Sequence, residues 1–280
     1  MDDNAAFVAM AGPPRALNTV GGQVFWQASA FGAVVLGLLC MFLVGRHTRA
    51  EEESGRDELL RSGVVGRLAP LAAAFAVAVL ASLVIGALVT ASLLTVRPGN
   101  AALRGVPLPV ADCVATGLGL TACGWVFSAV ALVAAQLTQS TRAMYGGTGL
   151  VLGVAYVLRA LGDVGAPGLG WASPIGWYQA LAAFAELTWW PLALPLVAAV
   201  VLTATGIALF DRRDIGAGLW AARPGPAHAR PGLRSGLGLA WRLQRGAVLG
   251  WTAGLLVTGV AYGSIGDGVR DMLGDSDVVA

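Results

Sequence analysis

Lysine is absent from this sequence of 280 residues, and histidine occurs only twice, at His47 and His228. Without lysine there can be no GxxxxGK[ST] loop, whose ammonium reaches the terminal phosphates of a nucleotide, so this chain is not expected to hydrolyse ATP itself. Neither histidine stands beside acidic residues at metal-ligand spacing. Cys40, Cys113 and Cys123 lack CxxC spacing and lie in or beside apolar runs, where a thiol serves as a small packing group. No GxSxG motif or paired acid points to a hydrolase. Charge of either sign is scarce, at 12% of residues. The 18 arginines are divided among loops without interleaved stacking aromatics, and the formal net charge is only +2, which does not support a nucleic-acid surface. No cofactor, metal or catalytic residue is expected in the chain.

What is abundant is apolar surface. The chain is 56% hydrophobic with a mean hydropathy of +0.72, outside the balance of a soluble domain. About 20 helical residues cross the roughly 30 Å of bilayer hydrocarbon. Six windows meet that need: Val24–Val44, Leu68–Val96, Cys113–Leu137, Met144–Leu161, Trp189–Phe210 and Ala247–Tyr262. The fourth is the shortest and carries Arg159. Lipid cannot satisfy the open edge of a sheet, so the expected class is an all-α, polytopic helical membrane protein.

The arginines orient the spans. Five lie at Arg46, Arg49, Arg56, Arg61 and Arg67, one at Arg142, and seven from Arg212 to Arg245, all on one side of this topology. By the positive-inside rule that side is cytoplasmic, and both ends of the chain face out, with the acidic tail Asp267–Asp277 external. Residues 1–23 lack a basic region followed by an apolar core, so no cleavable signal is expected. An external start before the first crossing suggests a missing first helix.

The expected organisation is a transmembrane bundle over 1–210, a Gly-, Pro- and Arg-rich cytoplasmic linker over 211–245, and a further span with its tail over 246–280. Trp171, Trp177, Trp189 and Trp190 fall where spans leave the external interface and read as aromatic anchors. The external segment 162–186 has turn signals at Pro167, Gly168 and Pro174. It reads as a surface-lying segment in preference to a broken, re-entrant helix. Glu186, ahead of the fifth span, reads as an interface acid. Gly149 and Gly153 form a GxxxG, a spacing that permits close helix packing but is expected by chance among 39 glycines.

The segment 46–67, RHTRAEEESGRDELLRSGVVGR, carries acids followed by arginines between two spans. Glu52 with Arg56 and Asp57 with Arg61 stand at i,i+4 with the acid first, the favourable order on a helix. A short amphipathic helix is expected. It is either a solvated loop helix or a docking helix that passes movement from a soluble motor into the adjoining spans. The residues alone do not separate the two.

This segment resembles the first cytoplasmic connection of bacterial, actinobacterial-like ABC-2 type permeases of the polyketide-antibiotic exporter group. DRRDIGAGLWAARPGP and GLAWRLQRGAVLGW resemble that group's mid-protein connection, and SPIGW at 173–177 its external segment. The resemblance implies a multi-pass permease of the cytoplasmic (inner) membrane that exports hydrophobic or amphipathic compounds such as antibiotics or drugs. It also implies a separate ABC ATPase subunit, which would hold the ATP and Mg. Glu51, Glu52, Glu53, Arg56, Asp57, Glu58, Leu59, Leu60 and Arg61 would form the coupling helix resting on that ATPase. Further implied partners are the lipid bilayer, the hydrophobic small-molecule cargo and a second permease half, since the full-length members have two six-span halves. Relative to them this chain corresponds to about the first half without the first span. The substrate-binding residues are not assigned. The rival reading is a non-transporting membrane scaffold or assembly subunit; an ion-coupled carrier is disfavoured because the span interiors hold almost no ionisable groups.

Overall fold

A computed structural model describes residues 5–96, 108–214, 216–220, 228 and 235–274, with side chains described for all of these except 5, 6, 60, 61, 257, 258 and 260–274. Two compact units are present, Ala11–Ala221 and a second formed by Met1–Met10 with Ala222–Ala280. The helices are α1 (Ala5–Ala11), α2 (Val20–Gln27), α3 (Ala33–Arg46), α4 (Arg49–Glu53), α5 (Arg56–Arg61), α6 (Ala69–Thr95), α7 (Val110–Leu137), α8 (Thr141–Val164), α9 (Pro167–Gly170), α10 (Pro174–Gln179), α11 (Ala193–Asp211) and α12 (Gly236–Gly274). A π turn over Ala28–Gly32 joins α2 to α3. A 3-10 turn over Trp190–Leu192 leads into α11. Among the described residues there is no strand.

Five helical stretches are long and apolar enough to cross a membrane: Val20–Glu53, Ala69–Thr95, Val110–Leu137, Thr141–Val164 and Trp190–Asp211. The protein is an all-α, multi-pass membrane protein. The first five expected crossings all fall on these stretches, with ends displaced where caps decide them. Thr19 accepts from the Gly22 N–H and starts the first helix at Val20, ahead of the expected Val24. Ser140 accepts from the Ala143 N–H and starts α8 at Thr141, ahead of the expected Met144. The sixth expected crossing, 247–262, lies on α12, whose side chains from 257 onward, apart from Gly259, lie outside the described residues.

Helix α7 is the centre of the larger unit, packed by α3, α6, α8 and α11. Its sequence explains the position. VADCVATGLGLTACGWVFSAVALVAAQL is built largely from Ala, Gly, Ser, Thr and Cys, which let neighbouring backbones approach from several sides. At Gly86 of α6 and Gly117 of α7 the approach is reciprocal: a Cβ on either glycine would overlap the carbonyl of the other. The expected GxxxG is not such a contact, because a Cβ at Gly153 meets nothing and one at Gly149 reaches only Met41 Sδ, at 4.0 Å. Lipid tails are as apolar as leucine, so packing and short polar contacts hold the spans together. Thr121 Oγ1 donates to Ser82 O at 3.3 Å, Trp125 Nε1 donates to Val79 O at 3.2 Å, and Cys40 Sγ lies 3.2 Å from Ser82 Oγ. All three cysteines are free and buried, as expected of packing groups.

The segment 162–186 corrects the surface-lying expectation. Ser173 accepts from the N–H groups of Ile175 and Gly176, starts α10, and donates to Ala155 O at 2.6 Å. Ile175, Tyr178 and Leu181 are buried in one cluster with Phe25, Leu36, Cys123 and Phe127. The Tyr178 hydroxyl donates to Thr116 O at 2.8 Å, and its ring lies against Gly119, where a Cβ would overlap it. Thr116 and Gly119 stand on the order of 10 Å along α7 from its first residue, at about 1.5 Å per residue. The part of the segment from Ser173 to Phe184 is therefore inserted into the bundle, while 164–172 stay largely exposed. Its irregular backbone is tolerated there because protein groups, rather than lipid, surround it. Phe184, at φ +65°, is held by Asp112 Oδ1, which accepts its N–H at 2.6 Å. Trp171 stacks on Trp190 with centroids 5.0 Å apart, and both rings are exposed at this end, where anchors are expected.

Candidate docking interface

The opposite, arginine-rich end gathers the termini of α3, α7 and α11 and the starts of α6 and α8. Helix α3 closes at His47, whose N–H bonds Leu43 O, and Thr48 donates to Val44 O at 2.6 Å. After this short turn α4 begins. Gly55 then adopts φ +73°, a left-handed conformation that stops α4 and re-aims the chain into α5. The segment is thus two short helices instead of one. The expected Glu52–Arg56 pair does not form, because Gly55 breaks the helical spacing between them. Arg56 approaches Glu51 instead, at 3.8 Å.

Glu52 faces inward. Its carboxylate accepts from Arg49 Nη1 at 3.0 Å and from both terminal nitrogens of Arg213, at 3.0 and 2.5 Å. Arg213 Nε donates to Gln136 Oε1 at 2.7 Å, and its Nη1 also reaches Ala217 O at 3.1 Å. Arg49 donates from Nε to Ala135 O and from Nη2 to Ala217 O at 3.0 Å. The side chains of Arg49, Arg213 and Glu52 are 1%, 2% and 8% exposed. Two cations on one carboxylate leave a surplus positive charge, which the carbonyls of Ala135 and Ala217 and the Gln136 oxygen help to compensate. Arg67 adds to the same end, donating to Arg213 O at 3.0 Å, and the guanidinium groups of Arg67 and Arg213 both lie near the Phe210 ring.

Glu53 is also engaged within the chain, accepting from the N–H and hydroxyl of Thr141. Asp57 is buried. The outward face of the segment is formed by Glu53, Arg56, Glu58 and Leu59 with the partly exposed Glu51, and Arg56 and Leu59 stand at 71% and 75% exposure. Leu60 and Arg61 lie on α5, with side chains outside the described residues.

Similarity to known proteins follows the same course. The multidrug efflux system permease protein Rv1217c of Mycobacterium tuberculosis (strain ATCC 25618 / H37Rv) is 42% identical over 282 residues, covering 98% of this chain. This likeness supports the resemblance to the ABC-2 type permeases. It spans 50% of the length of the curated relative it matches. A family profile described as the C-terminal domain of multidrug efflux system permease Rv1217c matches residues 233–280.

In this chain the matched stretch starts close to the first residue of α12, Gly236. The expected linker 211–245 is in part structured. Its last part is helical from Gly236, and its first part belongs to the bundle. Leu219 and Trp220 donate their N–H groups to Gln136 O and Leu137 O at 3.1 and 2.9 Å, closing the end of α7. Arg213, Gln136 and Thr141 are the residues of this surface that sequence reasoning misses. In the sequence Arg213 is only a topology signal, and nothing local marks a partner 161 residues away.

Proposed function

We propose that this chain is the membrane-spanning part of an ATP-driven exporter of hydrophobic or amphipathic compounds in the cytoplasmic membrane. A separate ABC ATPase subunit, carrying ATP and Mg, rests on α4 and α5 at Glu51, Arg56, Glu58 and Leu59. The observation that carries this reading is the 42% identity to a multidrug efflux permease over nearly the whole chain. The mixed-charge outward face of α4 and α5, with one exposed leucine, supports the ATPase contact, because such a face suits a polar interface with a small apolar anchor. An apolar crevice of about 360 Å3 lined by Leu71, Phe75, Val79, Leu132 and Ile207 supports an apolar cargo.

The test is co-purification in nanodiscs of the permease, completed by its second half, with the ATPase subunit. Arg56→Glu with Leu59→Asp is expected to abolish capture while membrane insertion stays normal. Undiminished capture would move the interface elsewhere, and failure of the unsubstituted chain to capture any ATPase would favour a scaffold.

A further inference from the structure

We propose that Glu52, Arg49 and Arg213 act as a transmission clamp, passing displacement of the docked segment into α11 and α7. This rests on the exporter reading above. Glu52 is a positioning residue, not a docking contact, since its carboxylate is turned into the bundle and occupied by two guanidinium groups.

The covalent chain alone gives α4 a poor lever. It joins α3 through the turn at His47 and Thr48, and leads to α6 only through α5 and the irregular stretch 62–68. The first reaches α7 only through the packing of α3 on it, and the second touches the end of α11 only through Arg67, which donates to Arg213 O at 3.0 Å. The clamp ties α4 to both directly, and does so twice. Arg213 grips Glu52 with a two-pronged contact and stands immediately after α11, while its Nε holds Gln136 on α7. Arg49, on α4 itself, reaches Ala135 O on α7 and Ala217 O in the loop after α11. Burial makes these contacts stiff: charge-assisted hydrogen bonds shielded from water are short, directional and little screened. The exposed Glu51–Arg56 pair, at 3.8 Å, lacks every one of those properties and transmits little. The reason for arginine at 213 is geometric. A planar fork can hold both carboxylate oxygens and Gln136 together, whereas an ammonium is a single point of charge.

The experiment uses the complete transporter with its ATPase subunit in nanodiscs, comparing the unsubstituted protein with Arg213→Lys. That variant keeps the charge and loses the fork. Cargo moved per ATP hydrolysed is expected to fall about tenfold, the size of effect typical of a residue carrying part of an energetic coupling, while ATPase capture is unchanged. An unchanged ratio overturns the clamp. Absence of ATPase capture by the unsubstituted protein overturns the docking reading and the clamp with it. If Arg213→Lys fails to insert, hydrogen exchange on the unsubstituted transporter decides: addition of the ATPase subunit should alter exchange at 135–137 and 212–220 as well as 49–61. Changes confined to 49–61 overturn the proposal.

Discussion

Glu53, the last residue of α4, accepts hydrogen bonds from the Thr141 N–H at 2.9 Å and the Thr141 hydroxyl at 2.7 Å, and so caps α8 from 88 positions away. Ser140 caps the same helix locally by accepting from the Ala143 N–H at 3.1 Å. The two contacts satisfy different donors of one helix start, which would otherwise lack partners. Replacing Glu53 with alanine should cost about 1 kcal/mol, the usual worth of a helix cap. Thermal unfolding in detergent would register it, with faster exchange confined to the first turn of α8. Loss of stability spread over the whole bundle would contradict this assignment.

Adjacent acids of α4 should respond very differently to the same change. Glu52→Gln leaves Arg49 and Arg213 buried without their carboxylate, and breaking a buried ion pair costs about 3–5 kcal/mol. Glu51→Gln touches a partly exposed acid with one distant partner and should stay within about 0.5 kcal/mol. Chemical denaturation of the two variants side by side tests the contrast. Equal effects would mean that Glu52 is not the centre of the cluster.

Gly119→Ala should loosen the inserted segment. The added methyl overlaps the Tyr178 ring, and overpacking of this kind costs about 1–3 kcal/mol. Because Leu181 also lies against Gly119, Tyr178→Ala should relieve part of the clash. The double variant is then less destabilised than the sum of the single ones. Strict additivity in a double-mutant cycle would show that the two sites do not touch.

Gly55→Ala separates strain from contact. A Cβ at Gly55 meets nothing within 4 Å, so the penalty comes only from its φ of +73°, about 1–2 kcal/mol for a residue with a side chain. Relief of that strain would re-aim α5. The expected result is weaker ATPase capture with an unchanged unfolding midpoint for the bundle, read by pull-down and calorimetry. Normal capture would show that the α4–α5 angle is unimportant for docking.

Much of the bundle could be read directly from residue order. Val24–Val44, Leu68–Val96 and Trp189–Phe210 are apolar over most of their surface, and a helix satisfies the backbone groups of such a stretch within lipid. Segment 46–67 was legible as a charged element, but its internal geometry was not. Ser54 and Gly55 resemble an ordinary surface pair in sequence, yet the left-handed turn at Gly55 cancels the i,i+4 register assumed for Glu52 and Arg56. Segment 162–186 misled for a related reason. Pro, Gly and Trp mark both an interfacial stretch and a plug seated against a helix, and the difference lies in Gly119 and Gly21, which leave room for Tyr178 and Phe184.

By itself the sequence determined the solvent, the class and the number of long apolar helices described up to Asp211, because transfer of apolar side chains and satisfaction of backbone groups act locally along the chain. Tertiary structure alone decided which charges are spent inside. Glu51, Glu52 and Glu53 are chemically identical neighbours, yet one faces outward, one is clamped between two arginines and one caps a distant helix. Those fates depend on Arg213 and Thr141, which only the packing of α7, α8 and α11 brings alongside α4.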